Sequence, residues 1–402
     1  MNELDALRQM RTALAVEESP EELALRTGWR AEAAPVRSRR RPRLPLLGVA
    51  AATAVVAGAV AVVALRPDGG AAPGPKAVPP GPERGNVLLV AATNAQKAPG
   101  GTYWHTKTVM GDVYAVGKSA ANHYKVDSRQ GNETWTGRDG TRHMTHIELA
   151  DVPLTAQDRQ KWRAAGSPEW VSIPNPEGGG GQAKLDMRQS SAGRSPWRAS
   201  VERFYGMTVA QIAELPTRPE ALEKRLLSLK GHWHAVSSDG EREEEPIRAL
   251  RGQERVRALS DVAGTLLSTA PAPPQVRAAV FRMLADLPGV RAEGKAADPL
   301  GRTGTVVSLP LRTTTPLGLY TAPKQLGTYR RQFIVDPATG SLLAIRDLVA
   351  TPPRGSRPLP PGDDGKPRAL KAEDMPDRFH RPGELAAYQA FEVTEWTDAP
   401  PR

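Results

Sequence analysis

Seven histidines bound the metal chemistry open to this chain. His143-x-x-His146 and His232-x-His234 have spacings that could bring two imidazoles to one ion. The first pair falls in a segment read as a strand, where residues three apart point to opposite faces, so the pair is badly placed to chelate. His232 and His234 would share a face if extended, but the pattern supplies no third ligand. Surface or half-buried histidines are the plainer reading. Gly117-Lys118-Ser119 looks like the end of a phosphate-binding loop, yet the preceding glycine, Gly111, puts the second glycine one residue late for that motif. Asp151/Asp158 and Glu243-Glu244-Glu245 could work as acid–base groups, but nothing separates them from a solvated face. Asn132-Glu133-Thr134 is a glycosylation sequon, read as a chance match. No G-x-S-x-G, H-E-x-x-H, EF-hand loop or dinucleotide fingerprint occurs. Cysteine is absent, which removes thiol catalysis, thiolate zinc sites and iron–sulfur clusters. The sequence therefore assigns no catalytic, cofactor-binding or metal-ligating residue, and we expect no cofactor and no enzyme.

The elements around these residues say more about place than about chemistry. Leu44 to Leu65 reads LPLLGVAAATAVVAGAVAVVAL, 22 residues without a charge. At about 1.5 Å per residue such a run reaches roughly 33 Å, enough to cross a bilayer core. About ten of its positions are Leu or Val, each favouring insertion by roughly 0.3–0.6 kcal/mol at the helix centre. Five arginines precede it: Arg37, Arg39, Arg40, Arg41 and Arg43. Lys and Arg beside a crossing stay on the cytoplasmic side. The expected order is a cytoplasmic helical tail over 1–43, a transmembrane helix over 44–65, a Pro/Gly-rich linker over 66–85, and an extracytoplasmic α+β domain over 86–402. A cleaved signal peptide fits less well, because the apolar run is long and far from the N-terminus. The net charge is +10. The topology puts much of it outside the membrane, where nucleic acid is scarce, so no nucleic-acid partner is expected.

In the tail, Leu4, Leu7, Met10 and Leu14 share one helical face, and Ser19-Pro20-Glu21-Glu22 is a helix start with a capping box. Two such short amphipathic helices cannot bury their apolar faces alone, which suggests docking onto a cytoplasmic partner or the inner membrane face; the alternative is a loosely ordered tail. The outer domain opens on a helix over 86–96, with Val87, Val90 and Ala91 on one side. Strands are expected over 103–110, 112–116, 122–127, 133–136 and 142–149, with turns at Gln130-Gly131 and Asp139-Gly140. A loop spans 176–181. Helices follow over 208–214, 219–229, 246–268 and 275–287. The last carries the stripe Val276, Ala279, Val280, Met283, Leu284, Leu287. Strands return over 290–296, 303–309, 329–335, 342–349 and 388–393, with a proline-rich loop over 351–378. The fold class is α+β, with antiparallel strands at both ends of the domain and helices between.

Leu287-Pro288-Gly289-Val290, Asp298-Pro299-Leu300-Gly301-Arg302 and the run from Phe333 to Leu342 carry a resemblance, together with the tail, the Arg-flanked crossing and the Tyr103–Met110 strand. On these the chain resembles an uncharacterised family of actinobacterial single-pass membrane proteins, often encoded beside an extracytoplasmic-function sigma factor. Abundant Arg and Ala with scarce Lys are those of a GC-rich bacterial genome. The outer part is similar, by strand order, to the half-barrel of lipoprotein carriers and periplasmic sigma-regulator sensors. The resemblance implies a cell-membrane sensor or regulator, N-terminus inside. Its partners would be the lipid bilayer, a sigma factor or other cytoplasmic protein at residues 1–43, and a lipid or envelope ligand outside. The alternative is an extracytoplasmic lipid- or lipoprotein-binding module without enzymatic activity.

Overall fold

The computed structural model describes residues 86–174, 181–188, 194–199, 203–231, 233, 244–310, 326–359, 365 and 367–401. All lie in one compact unit, Gly81–Arg402. The expected tail, transmembrane helix and linker, over 1–43, 44–65 and 66–85, lie outside the described residues, as does most of the 176–181 loop. Among the described residues no helix is long and apolar enough to cross a membrane.

The unit opens with α1 (Asn86–Ala95) and three long strands, β1 (Tyr103–Gly117), β2 (His123–Gly137) and β3 (Arg142–Glu148). Next come β4 (Val152–Pro153), α2 (Ala156–Ala164), the hairpin β5 (Trp170–Pro174) and β6 (Gln182–Asp186), and β7 (Arg194–Ala199). Short elements β8 (Arg203–Phe204), β9 (Met207–Thr208), α3 (Val209–Ala213), α4 (Pro219–Leu226), β10 (Lys230–Gly231) and β11 (Glu245–Pro246) lead to the helices α5 (Gly252–Leu267) and α6 (Pro274–Asp286). The chain closes with β12 (Arg291–Ala297), β13 (Thr303–Ser308), β14 (Thr328–Asp336), β15 (Ser341–Thr351), β16 (Ser356–Leu359), β17 (Arg368–Lys371) and β18 (Leu385–Thr397).

Ten of the described strands form one sheet in the order β12-β13-β14-β15-β18-β1-β2-β3-β7, with β4 beside β2. Every pairing is antiparallel. Two meanders from opposite ends of the domain are thus joined by the last strand, β18, which sits between β15 and β1. This is the α+β class expected, strands at both ends and helices in the middle.

Helices cover one face of the sheet. The α6 stripe is buried as its spacing predicts. Ala278 and Phe281 are buried too, because α1, α4, α5 and the sheet surround the helix. Phe333, Val335, Val307, Leu342 and Phe391 of the sheet complete this core. Each such side chain contributes about 1.5–3 kcal/mol on full burial. On α1 the buried stripe is Leu88, Ala91, Ala92 and Ala95, while Val90 faces out. That corrects the expected face by one position. The alanines let the helix approach α6, and the β14–β15 turn docks on its far end. There Asn94 donates to the Pro337 carbonyl at 2.9 Å. Gly340 has φ +68°, and a Cβ on it would stand 2.3 Å from the Ala95 nitrogen. Two tryptophans pin the α5–α6 connection to the sheet: Trp104 donates to the Ser268 carbonyl and Trp396 to that of Ala272. Buried Arg277 lies over Trp104 and donates to the Leu267 carbonyl, and burial lowers its pKa to about 10.

A second core forms where Tyr114, Val116, Tyr124 and Val126 meet Val171, Ile173, Leu185 and Met187 of β5, β6 and the residue following β6. The capping box of Thr155 and Asp158 starts α2 beside it. Neither α2 nor the hairpins β5–β6 and β16–β17 were expected, and the last of these corrects the loop reading over 351–378. The expected turn at Gln130-Gly131 lies inside β2, and 103–110 and 112–116 are one 15-residue strand. Gly111 and Gly131 look like breaks in the sequence. They are places where neighbouring side chains need the missing Cβ space: one on Gly111 would stand 2.3 Å from the Tyr388 ring. The Asp139-Gly140 turn is as expected, with Gly140 at φ +87°.

Candidate ligand site on the open sheet face

Alternation along β15 turns Ile345 and Asp347 towards α5 and leaves Ala344, Arg346 and Leu348 on the other face. A cavity of about 300 Å³ opens there. Ala297, Asp298 and Pro299 of the β12–β13 turn form one wall, Arg346 and Leu348 the floor, and Gly383 and Leu385 the opposite wall.

The walls are fixed by polar contacts that are themselves complete. Asp298 accepts from the backbone nitrogens of Leu300 and Arg302 and from the Arg302 guanidinium at 2.8 and 2.6 Å. Arg302 also donates to the carbonyls of Phe391 and Leu343. Both of those residues lie at register shifts of the sheet, where ladder pairing is interrupted. The Asp298-Pro299-Leu300-Gly301-Arg302 turn is thus a clamp across three strands.

Arg346 is held differently. Its Nε donates to the Gln332 amide oxygen at 2.9 Å and a terminal nitrogen to the Ala297 carbonyl at 3.3 Å. Gln332 is oriented in turn by donating to the Ser308 hydroxyl at 2.9 Å. All these acceptors are neutral. Among the described residues no carboxylate pairs with Arg346, and burial alone moves its pKa down. The guanidinium is therefore aimed, partly dehydrated and without a counter-ion.

The segment 375–384 walls the cavity and fills the gap in the sheet ahead of β18. Pro376 accepts from Ala115 of β1, while Gly383 and Glu384 bond Val349 of β15. Arg378 donates to the Gly117 carbonyl. Its buried root carries Asp377, which accepts from Tyr329, and His380. His380 is 3% exposed. The carbonyls of Asp377 and Leu385 favour its charged form but make no hydrogen bond of normal geometry to the ring. Burial, with Lys125 nearby, lowers its pKa to about 4. Lys125 pairs with Glu384 at 2.5 Å. Asp127, two residues along β2, accepts from the Tyr388 hydroxyl at 2.9 Å across Gly111. Burial raises it to about 6, against the opposing Tyr388 bond and Arg129 charge. The second carboxylate oxygens of Asp127 and Asp377 have no partner among the described residues.

The residues singled out by spacing lie elsewhere. His143 pairs with Trp135 and His146 with Asn132 across β2 and β3, so the two sit on opposite faces of β3. His146 bonds the Asn132 side chain, which puts the sequon asparagine in mid-strand. His232, His234 and Glu243 lie outside the described residues. Lys118 and Ser119 are exposed at the end of the β1–β2 hairpin. Asp158 caps α2 and accepts from the Lys125 nitrogen; Asp151 accepts from that of Asp186. These acids hold backbone in place. Arg346, Gln332, Asp127, Asp377 and His380 were not singled out by spacing. The available signal was a charged pair, Arg346-Asp347, in an otherwise apolar strand.

Chemically the open face offers a fixed cation beside apolar wall, which suits binding. The buried His380 ring is out of a substrate's reach. Comparisons of the chain with family models, with curated proteins and with solved structures found no match.

Proposed function

We propose that this chain is a single-pass cell-membrane protein whose outer domain binds a lipid or envelope ligand, and whose tail over residues 1–43 passes that state to a sigma factor or another cytoplasmic protein. The observation that carries the reading is the uncharged run from Leu44 to Leu65 behind five arginines. The domain that follows supports it. Its first helix, α1, begins at Asn86, straight after the linker, and is locked against α6 and the β14–β15 turn. The ten-stranded open sheet, whose outer strands β12 and β7 pair with no common neighbour, fits a curled half-barrel. The proposed role is binding without enzymatic activity.

A second reading keeps the outer domain as a lipid- or lipoprotein-binding module and gives the tail no role beyond insertion. The unpaired Arg346 over its cavity suits that reading equally. The full chain, purified from its native membrane beside a variant with Leu7→Ser and Leu14→Ser, separates the two. Recovery of a sigma factor with the unaltered chain and its loss with the variant supports the regulator. Recovery of no cytoplasmic protein by either leaves the binding module.

A further inference from the structure

We infer that the cavity beside Gly383 binds a small amphiphile with an anionic head, phosphate or carboxylate, the head on Arg346 and the apolar body along Pro299, Leu348 and Leu385. This rests on the outer domain being a ligand-binding domain, and on nothing about the tail.

The argument begins with cost. A dehydrated guanidinium without a counter-ion is unfavourable, and proteins normally pair such groups. Arg302 has Asp298, and Arg331 has Asp261 and Asp347. Arg277 also lacks a carboxylate, but it is sealed in the core with Trp104 over its guanidinium and the Leu267 carbonyl as acceptor, whereas Arg346 opens onto a cavity. Arg346 has an amide oxygen and a backbone carbonyl. These fix its direction and leave N–H donors for a further acceptor, since the group carries five. A planar fork held this way matches the oxygens of a carboxylate or phosphate. Asp298 lines the same cavity without competing, because its own arginine occupies it.

The walls set the remainder of the ligand. Pro299, Leu348 and Leu385 are apolar, so a bare inorganic ion would leave them against water. The volume, about 300 Å³, is at the low end of ligand cavities, which run from about 300 to 1,000 Å³. It suits one head group with a short chain, or the head and first carbons of a longer lipid.

The test uses the full chain in phosphatidylcholine nanodiscs and isothermal titration with hexyl phosphate, hexanoate, hexanol and inorganic phosphate. We expect hexyl phosphate and hexanoate to bind, and hexanol and inorganic phosphate to bind at least tenfold more weakly. Arg346→Gln should weaken hexyl phosphate at least tenfold and leave hexanol unmoved. Ala297 is exposed at the rim. Ala297→Trp should block every probe while the unfolding temperature stays at the wild-type value, which guards against a misfolded Arg346 variant. Inorganic phosphate binding as tightly as hexyl phosphate would overturn the amphiphile, and hexanol matching it would overturn the anionic head. Absence of binding at millimolar probe, or binding untouched by both variants, would overturn the site. Failure of the tail reading would leave these titrations as they are, and failure of the cavity would leave sigma-factor recovery as it is.

Discussion

Arg331 and Arg346 occupy one hairpin at adjacent register positions, Arg331 opposite Asp347 and Arg346 opposite Gln332, yet they face opposite sides of the sheet. Arg331 turns to α5 and meets Asp261 at 2.8 Å and Asp347 at 2.7 Å. Burial alone would lower its pKa; the two carboxylates outweigh that and raise it. Arg346 turns to the cavity and meets neutral oxygens. The same side chain is a completed structural joint on one face and an incomplete one on the other. Incompleteness alone does not mark a site, since buried Arg277 also lacks a carboxylate; what sets Arg346 apart is that it opens onto a cavity.

The largest expected effect breaks the completed joint. Arg331→Met leaves two carboxylates facing each other and should cost about 3–5 kcal/mol in urea unfolding. Arg346→Met, on the other face, should stay within about 1 kcal/mol of wild type. Equal losses would erase the contrast.

Two further incomplete groups sharpen it through pH. His380 titrates near 4 when folded, below the ordinary value of 6.5. The unfolded chain therefore takes up its proton first as pH falls from 6.5 to 4. His380→Leu should gain on wild type by about 3 kcal/mol across that window, at 1.36 kcal/mol per pKa unit. Asp127 runs the other way. Its folded pKa is raised from 3.8 to about 6, so the ionised carboxylate weakens the fold fully above pH 6 and not at all below 3.8. Asp127→Asn should gain on wild type by about 2–3 kcal/mol as pH rises from 4 to 7. Denaturant unfolding at three pH values reads both, and parallel wild-type and variant profiles would contradict them. A smaller effect, independent of pH, belongs to an exposed, completed group. Thr155→Ala removes one half of the α2 capping box and should cost about 1 kcal/mol, independent of pH between 6 and 8.

Periodicity made much of the fold legible. The α6 stripe and the Asp139-Gly140 turn follow from spacing and turn chemistry, and so does the helical block between two strand regions. Two errors share a cause. From sequence Gly131 reads as a turn and Gly111 as a gap between two strands, but the Tyr388 ring and Ile147 of neighbouring strands are what require them. The α1 face slipped because a short helix rich in alanine has a weak apolar contrast between its sides. The site itself was barely legible. Arg346 acquires its meaning from residues far apart in the chain: Gln332 and Ser308 reach it through strand pairing, while Ala297 and Gly383 arrive from the β12–β13 connection and the segment before β18.

The proposed topology puts residues 1–43 and the folded domain on opposite sides of the cell membrane, which accessibility tests directly. The chain has no cysteine, so single substitutions report cleanly on accessibility. Ser19→Cys and Ala120→Cys, the latter exposed at the end of the β1–β2 hairpin, should be labelled by a membrane-impermeant maleimide on intact cells in one pattern: Ala120→Cys at once, Ser19→Cys after lysis only. Neutralising Arg37, Arg39, Arg40, Arg41 and Arg43 together should weaken or reverse that pattern. Labelling of Ser19→Cys on intact cells, or protection of Ala120→Cys, would contradict an inner tail and an outer ligand-binding domain.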